Sequence, residues 1–256
     1  MSFFETFAQL HQQATPLLLG NIWNVQSARV FEASGYKAIG TSSMAVAQSL
    51  GYDDGENLPF EVLLQLAKSV TKAVSIPFTV DIEGGYHRTA EGIIKNISQL
   101  HDAGVAGINL EDTVPGASRE LQDVGSFQQL LAAVTNHLSR NNLKVFVNVR
   151  TDGFLLGMPT ALDETLTRVK SYENAGADGL FVPCITREDD IAQVVKATPL
   201  PINVMCMPDL PDFAELTALG VKRISMGSFF FDKVYRNAGA LAAAISNNEN
   251  FTALFS

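Results

Sequence analysis

Eight short segments with the composition of β-strands recur along the chain, and this repetition constrains the fold more than any other feature. Between most of them lie stretches whose apolar residues are three and four positions apart, as on one face of a helix. Strands that alternate with helices form parallel sheets. Eight such units in 256 residues, with no linker-like segment between them, predict one (β/α)8 barrel domain over residues 1–256. The strand-like segments are 17–23, 37–43, 76–83, 106–112, 143–150, 178–183, 200–206 and 222–227.

The C-terminal segment, about residues 237–256, combines an alanine-rich helical stretch with a second apolar group. That group consists of Phe251, Leu254 and Phe255. An exposed apolar tail of this kind is costly in a monomer. The segment therefore predicts that the chain associates with copies of itself.

The charge balance limits the partners of the chain. The net charge is −9, and no cluster of Lys and Arg is available to neutralise phosphates, so we expect no nucleic-acid partner. No apolar run reaches the roughly 20 residues that span a membrane, and the N-terminus lacks the features of a signal peptide. Two cysteines, Cys184 and Cys206, are too few for a disulfide framework. They indicate a reducing compartment, for which we expect the cytoplasm.

Alternation within the strands assigns their polar residues to the barrel interior. The outer face of a barrel strand packs on helices and must be apolar, so the polar members of each alternating segment point inward. They lie toward the carboxyl ends of the strands, where barrels of this type build their active sites. The polar residues placed inward in this way are Asp81, Glu83, Asn109, Glu111, Asn148 and Arg150.

Three of these inward residues are carboxylates, Asp81, Glu83 and Glu111. Such a cluster requires proton uptake or a counter-ion, and Arg150 alone cannot neutralise all three. Ligation by oxygen atoms only favours Mg²⁺ or Mn²⁺, and no His/Cys set has zinc spacing. Because Mg²⁺ keeps several waters, we expect Asp81 to bind it directly and the two glutamates to act through water.

The segment TSSMAVAQSLGYDDGE, residues 41–56, is a second group of interest. Ser42 and Ser43 end the second strand, and backbone N–H groups of the helical turn that follows suit a carboxylate or phosphonate. A simple N-cap serine explains the same residues. Arg150 offers a planar fork for a substrate carboxylate, or serves as the internal counter-ion of Glu111.

Together these features resemble the isocitrate lyase/phosphoenolpyruvate mutase superfamily over roughly residues 16–230. The resemblance implies a (β/α)8 barrel whose last helix is exchanged between subunits, usually in tetramers. We therefore expect a homotetramer, with a homodimer as the minimum. The segments that carry the resemblance, in family order, are GTSSMAVAQSLGYDDG, VDIEGGY, GINLED, VNVRTD, AGADGLFVP and LGVKRIS.

The resemblance also implies roles for individual residues. It places Mg²⁺ near Asp81, Glu83 and Glu111, with Asp54 beside the metal as a catalytic candidate. It implies reactions that make or break a C–C or P–C bond next to an α-oxo acid, through a metal-bound enolate. The residues expected to bind the small anionic 2-oxo or 2-hydroxy acid are Ser42, Ser43, Met44, Asn148 and Arg150.

The sequence departs from the family in the loop after the fourth strand. The lyase branch has a K-K-C-G-H motif there, with cysteine as acid/base, and the mutase branch has a K-T-N-S-like loop. Residues 113–123 read TVPGASRELQD, so the chain resembles a short, cysteine-free branch. Ser118 and Arg119 are the catalytic candidates in this loop, although residues 118–120 also suit an N-cap and first helical turn. The composition of residues 113–125 predicts a loop that moves as a lid.

These observations favour a Mg²⁺-dependent lyase that acts on a small 2-oxo or 2-hydroxy dicarboxylate. One alternative is a P–C bond mutase or hydrolase, for which the loop supplies few residues that could handle a phosphoryl group. Another is a protein that binds 2-oxo acids without turnover, which the missing cysteine supports.

Overall fold

The computed structural model describes residues 1–114 and 119–255. Its strands are β1 Leu17–Leu18, β2 Gly20–Ile22, β3 Ile39–Thr41, β4 Phe78–Asp81, β5 Gly107–Glu111, β6 Thr113–Val114, β7 Glu120–Leu121, β8 Phe146–Arg150, β9 Gly179–Val182, β10 Ile202–Met205 and β11 Arg223–Ser225. Its helices are α1 Phe3–Leu10, α2 Val25–Ala33, α3 Ser43–Ser49, α4 Phe60–Thr71, α5 Ala90–Asp102, α6 Val124–Arg140, α7 Ala161–Asn174, α8 Glu188–Ala197, α9 Phe213–Leu219 and α10 Phe229–Asn248, followed by a 3₁₀ turn, Thr252–Leu254.

The main sheet closes into a barrel through its first strand, which pairs with the last strand on one side and with the second strand on the other. Its order is β1-β11-β10-β9-β8-β5-β4-β3-β2, and every pairing in it is parallel. β1 and β2 are consecutive pieces of one barrel strand, interrupted at Leu19. β1 pairs with β11 and β2 pairs with β3, so that strand joins the last strand to the second. The expectation of a (β/α)8 barrel is confirmed, and each of the eight expected segments contains a barrel strand.

The core lies between the barrel and its helices, as the alternation predicts. The outward-facing Val80, Ile108 and Val147 are at most 1% exposed and pack in the main apolar cluster. Tight turns join the helices to the strands that follow, with Gly104, Gly176 and Gly220 in the left-handed region that suits glycine.

Helix α1 covers the N-terminal end of the barrel. The rings of Phe7, His11 and Phe146 meet there, with centroids 4.5 to 5.4 Å apart. Burial and the nearby Arg223 lower the pKa of His11 to about 3, so this histidine is neutral and part of the packing. Access to the barrel interior is therefore from the opposite, carboxyl end of the strands.

A polar layer fills the barrel between these two ends. Asn148 donates from Nδ2 to Asn109 Oδ1 at 3.0 Å and to Asn203 Oδ1 at 3.4 Å, and Arg223 Nη2 donates to Asn109 Oδ1 at 3.4 Å. All four side chains are buried. This layer forms the floor beneath the open mouth.

Helix α10 corrects the expected boundary of the C-terminal segment. It begins at Phe229 rather than near residue 237, because its first two turns pack on Trp23 through Phe231 and Tyr235. None of residues 232–255 is buried. The helix therefore leaves the barrel soon after it begins.

An apolar groove marks the place that α10 does not cover. It lies between α9 and the strands β11 and β1, and its walls include Leu18, Phe213, Ile224 and Met226. In a (β/α)8 barrel the helix after the eighth strand packs over this seam. Within the described residues, no helix has the length and apolar character needed to cross a membrane.

Candidate active site

A cavity of about 440 Å³ opens at the carboxyl ends of the barrel strands. Every barrel strand contributes to its wall, so the whole mouth of the barrel forms one site. The strand residues that line it are Asn21, Thr41, Asp81, Asn109, Arg150, Phe181, Met205 and Ser225.

Asp81 ends β4 and lines the cavity. Its backbone N–H donates to Thr41 Oγ1 at 2.8 Å, and its Oδ1 accepts from the backbone N–H of Glu83 at 3.0 Å. Burial raises the pKa of this carboxyl, and the positive charge of Arg150 opposes the rise. The backbone of Asp81 is thus held by β3, and its side chain is held by the backbone of Glu83.

Glu83 lies behind Asp81, buried and turned toward the loop after β3. Its Oε2 accepts from the backbone N–H of Glu56 at 3.0 Å, and its Oε1 accepts from the hydroxyl of Tyr86 at 3.4 Å. Burial, with the negative charges of Asp54 and Asp81, raises its pKa to about 8. Glu83 is therefore not among the residues that line the cavity.

Glu111 ends β5 and is 1% exposed. The strand register pairs it with Arg150 on β8, and Arg150 Nη1 lies 3.2 Å from its Oε2. Thr113 Oγ1 donates to its Oε1 at 2.8 Å. Burial raises the pKa of Glu111 to about 7, although Arg150 opposes the change.

Arg150 is held by Asp152, a residue that sequence reasoning did not assign to the site. Its Nε donates to Asp152 Oδ1 at 2.6 Å and its Nη2 donates to Oδ2 at 3.0 Å, a bidentate pair with a fully buried carboxylate. Arg150 is therefore an internal counter-ion for both Asp152 and Glu111. Asp152 is the last residue of the motif VNVRTD, two positions after Arg150. The spacing of the two residues does not by itself reveal that their side chains pair.

Arg119 reaches the same cluster from the β6–β7 hairpin. Its Nη1 lies 3.0 Å from Asp152 Oδ2 and 3.5 Å from Glu111 Oε2, and its Nη2 lies 3.6 Å from Asp54 Oδ2. The interpretation of this stretch as the start of a helix is wrong, because Glu120 begins β7 and α6 starts at Val124. Ser118 lies outside the described residues.

The segment after β3 forms another side of the cavity. Ser42 is the N-cap of α3, with its Oγ accepting from the backbone N–H of Ala45 at 3.4 Å. Ser42, Ser43 and Met44 all line the cavity, as does Asp54. Asn148 does not, although Asn109, to which it donates a hydrogen bond in the polar layer of the floor, does.

Cys184 is a further lining residue that sequence reasoning set aside. It follows β9 in the left-handed backbone region, with φ of 63°, which brings its half-buried thiol to the cavity. Burial raises the pKa of this thiol, so it stays protonated at neutral pH.

The donor set fits a hydrated divalent cation. In the part of the chain that the structure describes, no three His, Cys, Asp or Glu side chains converge as direct metal ligands. Asp81 and Asp54 nevertheless face the cavity, and Asp54 Oδ1 is buried without a hydrogen-bond partner. Carboxylate oxygens of this kind suit Mg²⁺ or Mn²⁺, which take few direct protein ligands and keep several waters.

Comparison of the sequence with known proteins identifies the family to which this chain belongs. The family model for phosphoenolpyruvate phosphomutase matches residues 7–246. An uncharacterized protein of Mycobacterium tuberculosis (strain ATCC 25618 / H37Rv) is 35% identical over 244 residues, which cover 95% of this chain and 90% of the relative.

Two further comparisons agree. The crystal structure of a candidate phosphonomutase from Burkholderia cenocepacia J2315 superposes with a TM-score of 0.89 at 37% identity, covering 94% of this chain and 98% of that one. An oxaloacetate decarboxylase of Pseudomonas fluorescens (strain SBW25) is 25% identical, over 87% of this chain and 77% of the relative. Matched over nearly its whole length, the chain belongs to the phosphoenolpyruvate phosphomutase family.

Proposed function

We propose that this protein is a Mg²⁺-dependent lyase that cleaves the bond between C3 and C4 of a small 2-oxo acid, or a C–C bond of a related 2-hydroxy acid. The observation that carries the proposal is the imbalance of charge at the cavity. Two guanidinium groups, Arg119 and Arg150, face five carboxylates. A divalent cation relieves that imbalance, and so does proton uptake by the glutamates. The carboxylates are those of Asp54, Asp81, Glu83, Glu111 and Asp152.

The cavity offers what cleavage through an enolate requires. When bound, Mg²⁺ supplies positive charge for the oxygen of a developing enolate. Arg150, oriented by Asp152, presents its positive charge to the substrate carboxylate, together with the start of α3. Arg119, which precedes β7 of the hairpin, covers the carboxylate cluster and excludes water from the enolate.

Cleavage itself moves one electron pair. In a 2-oxo acid the pair of the broken C3–C4 bond enters the C2–C3 enolate, C4 leaves as carbon dioxide or as the carbon of a carbonyl group, and protonation of C3 completes the reaction. The resemblance of the chain to oxaloacetate decarboxylases, whose name denotes loss of a carboxyl group from a 2-oxo acid, supports this bond type.

Cleavage of a P–C bond is the second candidate. It is favoured by the family model and by the likeness to a candidate phosphonomutase at 37% identity. Both reactions place a 2-oxo acid at the same metal and differ in the group that leaves.

A turnover screen with Mg²⁺ tests the proposal. Oxaloacetate, 2-methylisocitrate, dimethylmalate and phosphonopyruvate are incubated with the protein and followed by proton and phosphorus NMR. In parallel, exchange of the C3 protons of pyruvate into D₂O reports enolate formation alone. We expect Mg²⁺-dependent exchange and C–C cleavage. Phosphate or phosphoenolpyruvate formation would favour the P–C reaction, and binding without exchange or turnover would indicate a non-catalytic protein.

The first variant prediction concerns the metal. Asp81→Ala should remove Mg²⁺ binding at concentrations that saturate the wild type. The fold should survive, because the change relieves repulsion among buried carboxylates. Isothermal titration measures the affinity, and Asp53→Ala, an exposed neighbour that does not line the cavity, is the matched control. Unchanged affinity in Asp81→Ala would refute the assignment.

The second concerns the hairpin. Arg119→Ala should lower kcat/KM by about 10²-fold, because the substrate loses a group that covers and orients it, without weakening Mg²⁺ affinity. Arg140→Ala, at an exposed position of α6, should change neither quantity. Hydrogen exchange should show stronger protection across residues 113–125 when Mg²⁺ and a 2-oxo acid are bound. Equal protection in both states would mean that this segment is not a lid.

The third concerns assembly. We propose that α10 is exchanged between subunits of a tetramer, because its exposed apolar residues and the uncovered apolar groove leave complementary surfaces on one chain. Light scattering at micromolar concentration should report a tetramer, with a dimer as the minimum. Leu254→Asp should shift the population toward smaller species, and Val30→Asp, exposed to a similar extent on α2, should not. A monomeric wild-type protein would contradict the proposal.

A further inference from the structure

We infer that the substrate carries an apolar substituent in place of a second anionic group. Its chemical class is a 4-hydroxy-2-oxo monocarboxylic acid with an alkyl or aryl tail: cleavage between C3 and C4 leaves the enolate of pyruvate and releases the tail as an aldehyde, with loss of the 4-hydroxyl proton and protonation of C3. This inference rests on the proposed function, which fixes the end of the substrate that meets the metal. It departs from the dicarboxylate that sequence reasoning favours.

The cavity has two chemically different walls. The polar wall holds Asp54, Asp81, Arg119 and Arg150, which come from the loop after β3, from β4, from the β6–β7 hairpin and from β8. The apolar wall comes from β9 and β10 and from the segments that follow β8 to β11. Its residues are Leu155, Phe181, Pro183, Met205, Met207 and Phe229. The two walls therefore take different sectors of the barrel mouth.

No basic residue that the structure describes belongs to the apolar wall, although the guanidinium carbon of Arg150 lies 5.8 Å from the centroid of the Phe181 ring. Among the described residues that line the cavity, Arg119 and Arg150 are the basic ones. Arg150 already contacts Asp152 and Glu111, and Arg119 already contacts Asp54 and Asp152. The sector also holds the hydroxyl groups of Ser225 and Ser228, which are uncharged. A second carboxylate or a phosphoryl group would therefore enter it without a basic partner, which is unfavourable for a desolvated charge.

The edge of the apolar wall leaves hydrophobic surface open at the mouth. Leu155 and Phe229 are 38% and 39% exposed, and Met44 on α3, which also lines the cavity, is 38% exposed. Lining methionines, here Met205 and Met207, adapt to tails of different shape. An apolar substituent would cover these side chains and remove them from water.

The size of the cavity agrees with a substrate longer than pyruvate. A water molecule occupies about 30 Å³ in the liquid, so 440 Å³ holds roughly fifteen groups of that size. Pyruvate and the few waters of a hydrated cation fill only part of this volume. The remainder lies where the apolar side chains are.

A ligand series measured on the full chain with Mg²⁺ tests the inference. Isothermal titration compares pyruvate, 2-oxobutanoate, 2-oxopentanoate and 2-oxohexanoate with oxaloacetate and phosphonopyruvate. We expect Kd to fall by up to about fourfold for each added methylene that is buried. Oxaloacetate and phosphonopyruvate should bind no more tightly than pyruvate. A Kd that does not fall with tail length, or tighter binding of either dianionic ligand than of 2-oxohexanoate, would overturn the inference.

Variants of the apolar wall give a second test. Leu155→Arg places a cation beside the tail and should reverse the preference, so that oxaloacetate binds more tightly than 2-oxohexanoate. Val30→Arg, similarly exposed but far from the cavity, is the matched control. Met207→Ala removes apolar contact without adding charge, and should weaken 2-oxohexanoate while leaving pyruvate unchanged. If neither variant alters the ratio of the two affinities, the wall does not select the tail.

Failure of this inference can be told from failure of the proposed function. Mg²⁺-dependent pyruvate binding together with a preference for oxaloacetate would contradict the apolar tail and leave the lyase proposal intact. Pyruvate binding that does not depend on Mg²⁺ would contradict the proposed function itself.

Discussion

The bidentate pair between Arg150 and Asp152 is the contact on which the rest of the site depends. It fixes a guanidinium at the centre of a cluster of buried carboxylates, each of which would otherwise be unfavourable at this depth. Glu111 and Arg119 then take positions around that pair, and Asp81 is left facing the cavity. Removing one partner of such a buried pair leaves an uncompensated charge, so the cluster requires both residues.

The barrel makes this cluster possible by bringing strand ends together at one rim. The register of β5 and β8 sets Glu111 directly beside Arg150, and the register of β4 and β5 sets Asp81 beside Asn109. The amide and arginine layer below gives these side chains a polar floor, and α1 closes the far end of the barrel. Substrate therefore meets the cluster only from the carboxyl end.

The division of the cavity into a polar and an apolar wall separates two questions of function. The polar wall concerns the proposed chemistry, activation of a 2-oxo acid. The apolar wall concerns what else the substrate carries, and it comes from strand ends and the segments that follow them, the part of a barrel in which loops vary most. A chain can thus belong to the family and still select its own substrate.

The sequence by itself determined the barrel, the inward direction of its polar residues and the membership of Asp81, Glu83, Glu111 and Arg150 in one cluster. These follow from periodicity, since alternate residues of a strand share a face and parallel strands end at the same rim. What the periodicity could not supply was the orientation of side chains within the cluster.

Only the tertiary structure decided which partners meet. It turned Glu83 toward Glu56, placed Arg119 on a hairpin instead of a helix, and moved the start of α10 to Phe229. It also gathered the apolar wall from four separate strand ends. The physical reason is that hydrogen bonds, ion pairs and apolar contacts form through space between residues far apart in the chain, and no local pattern records them.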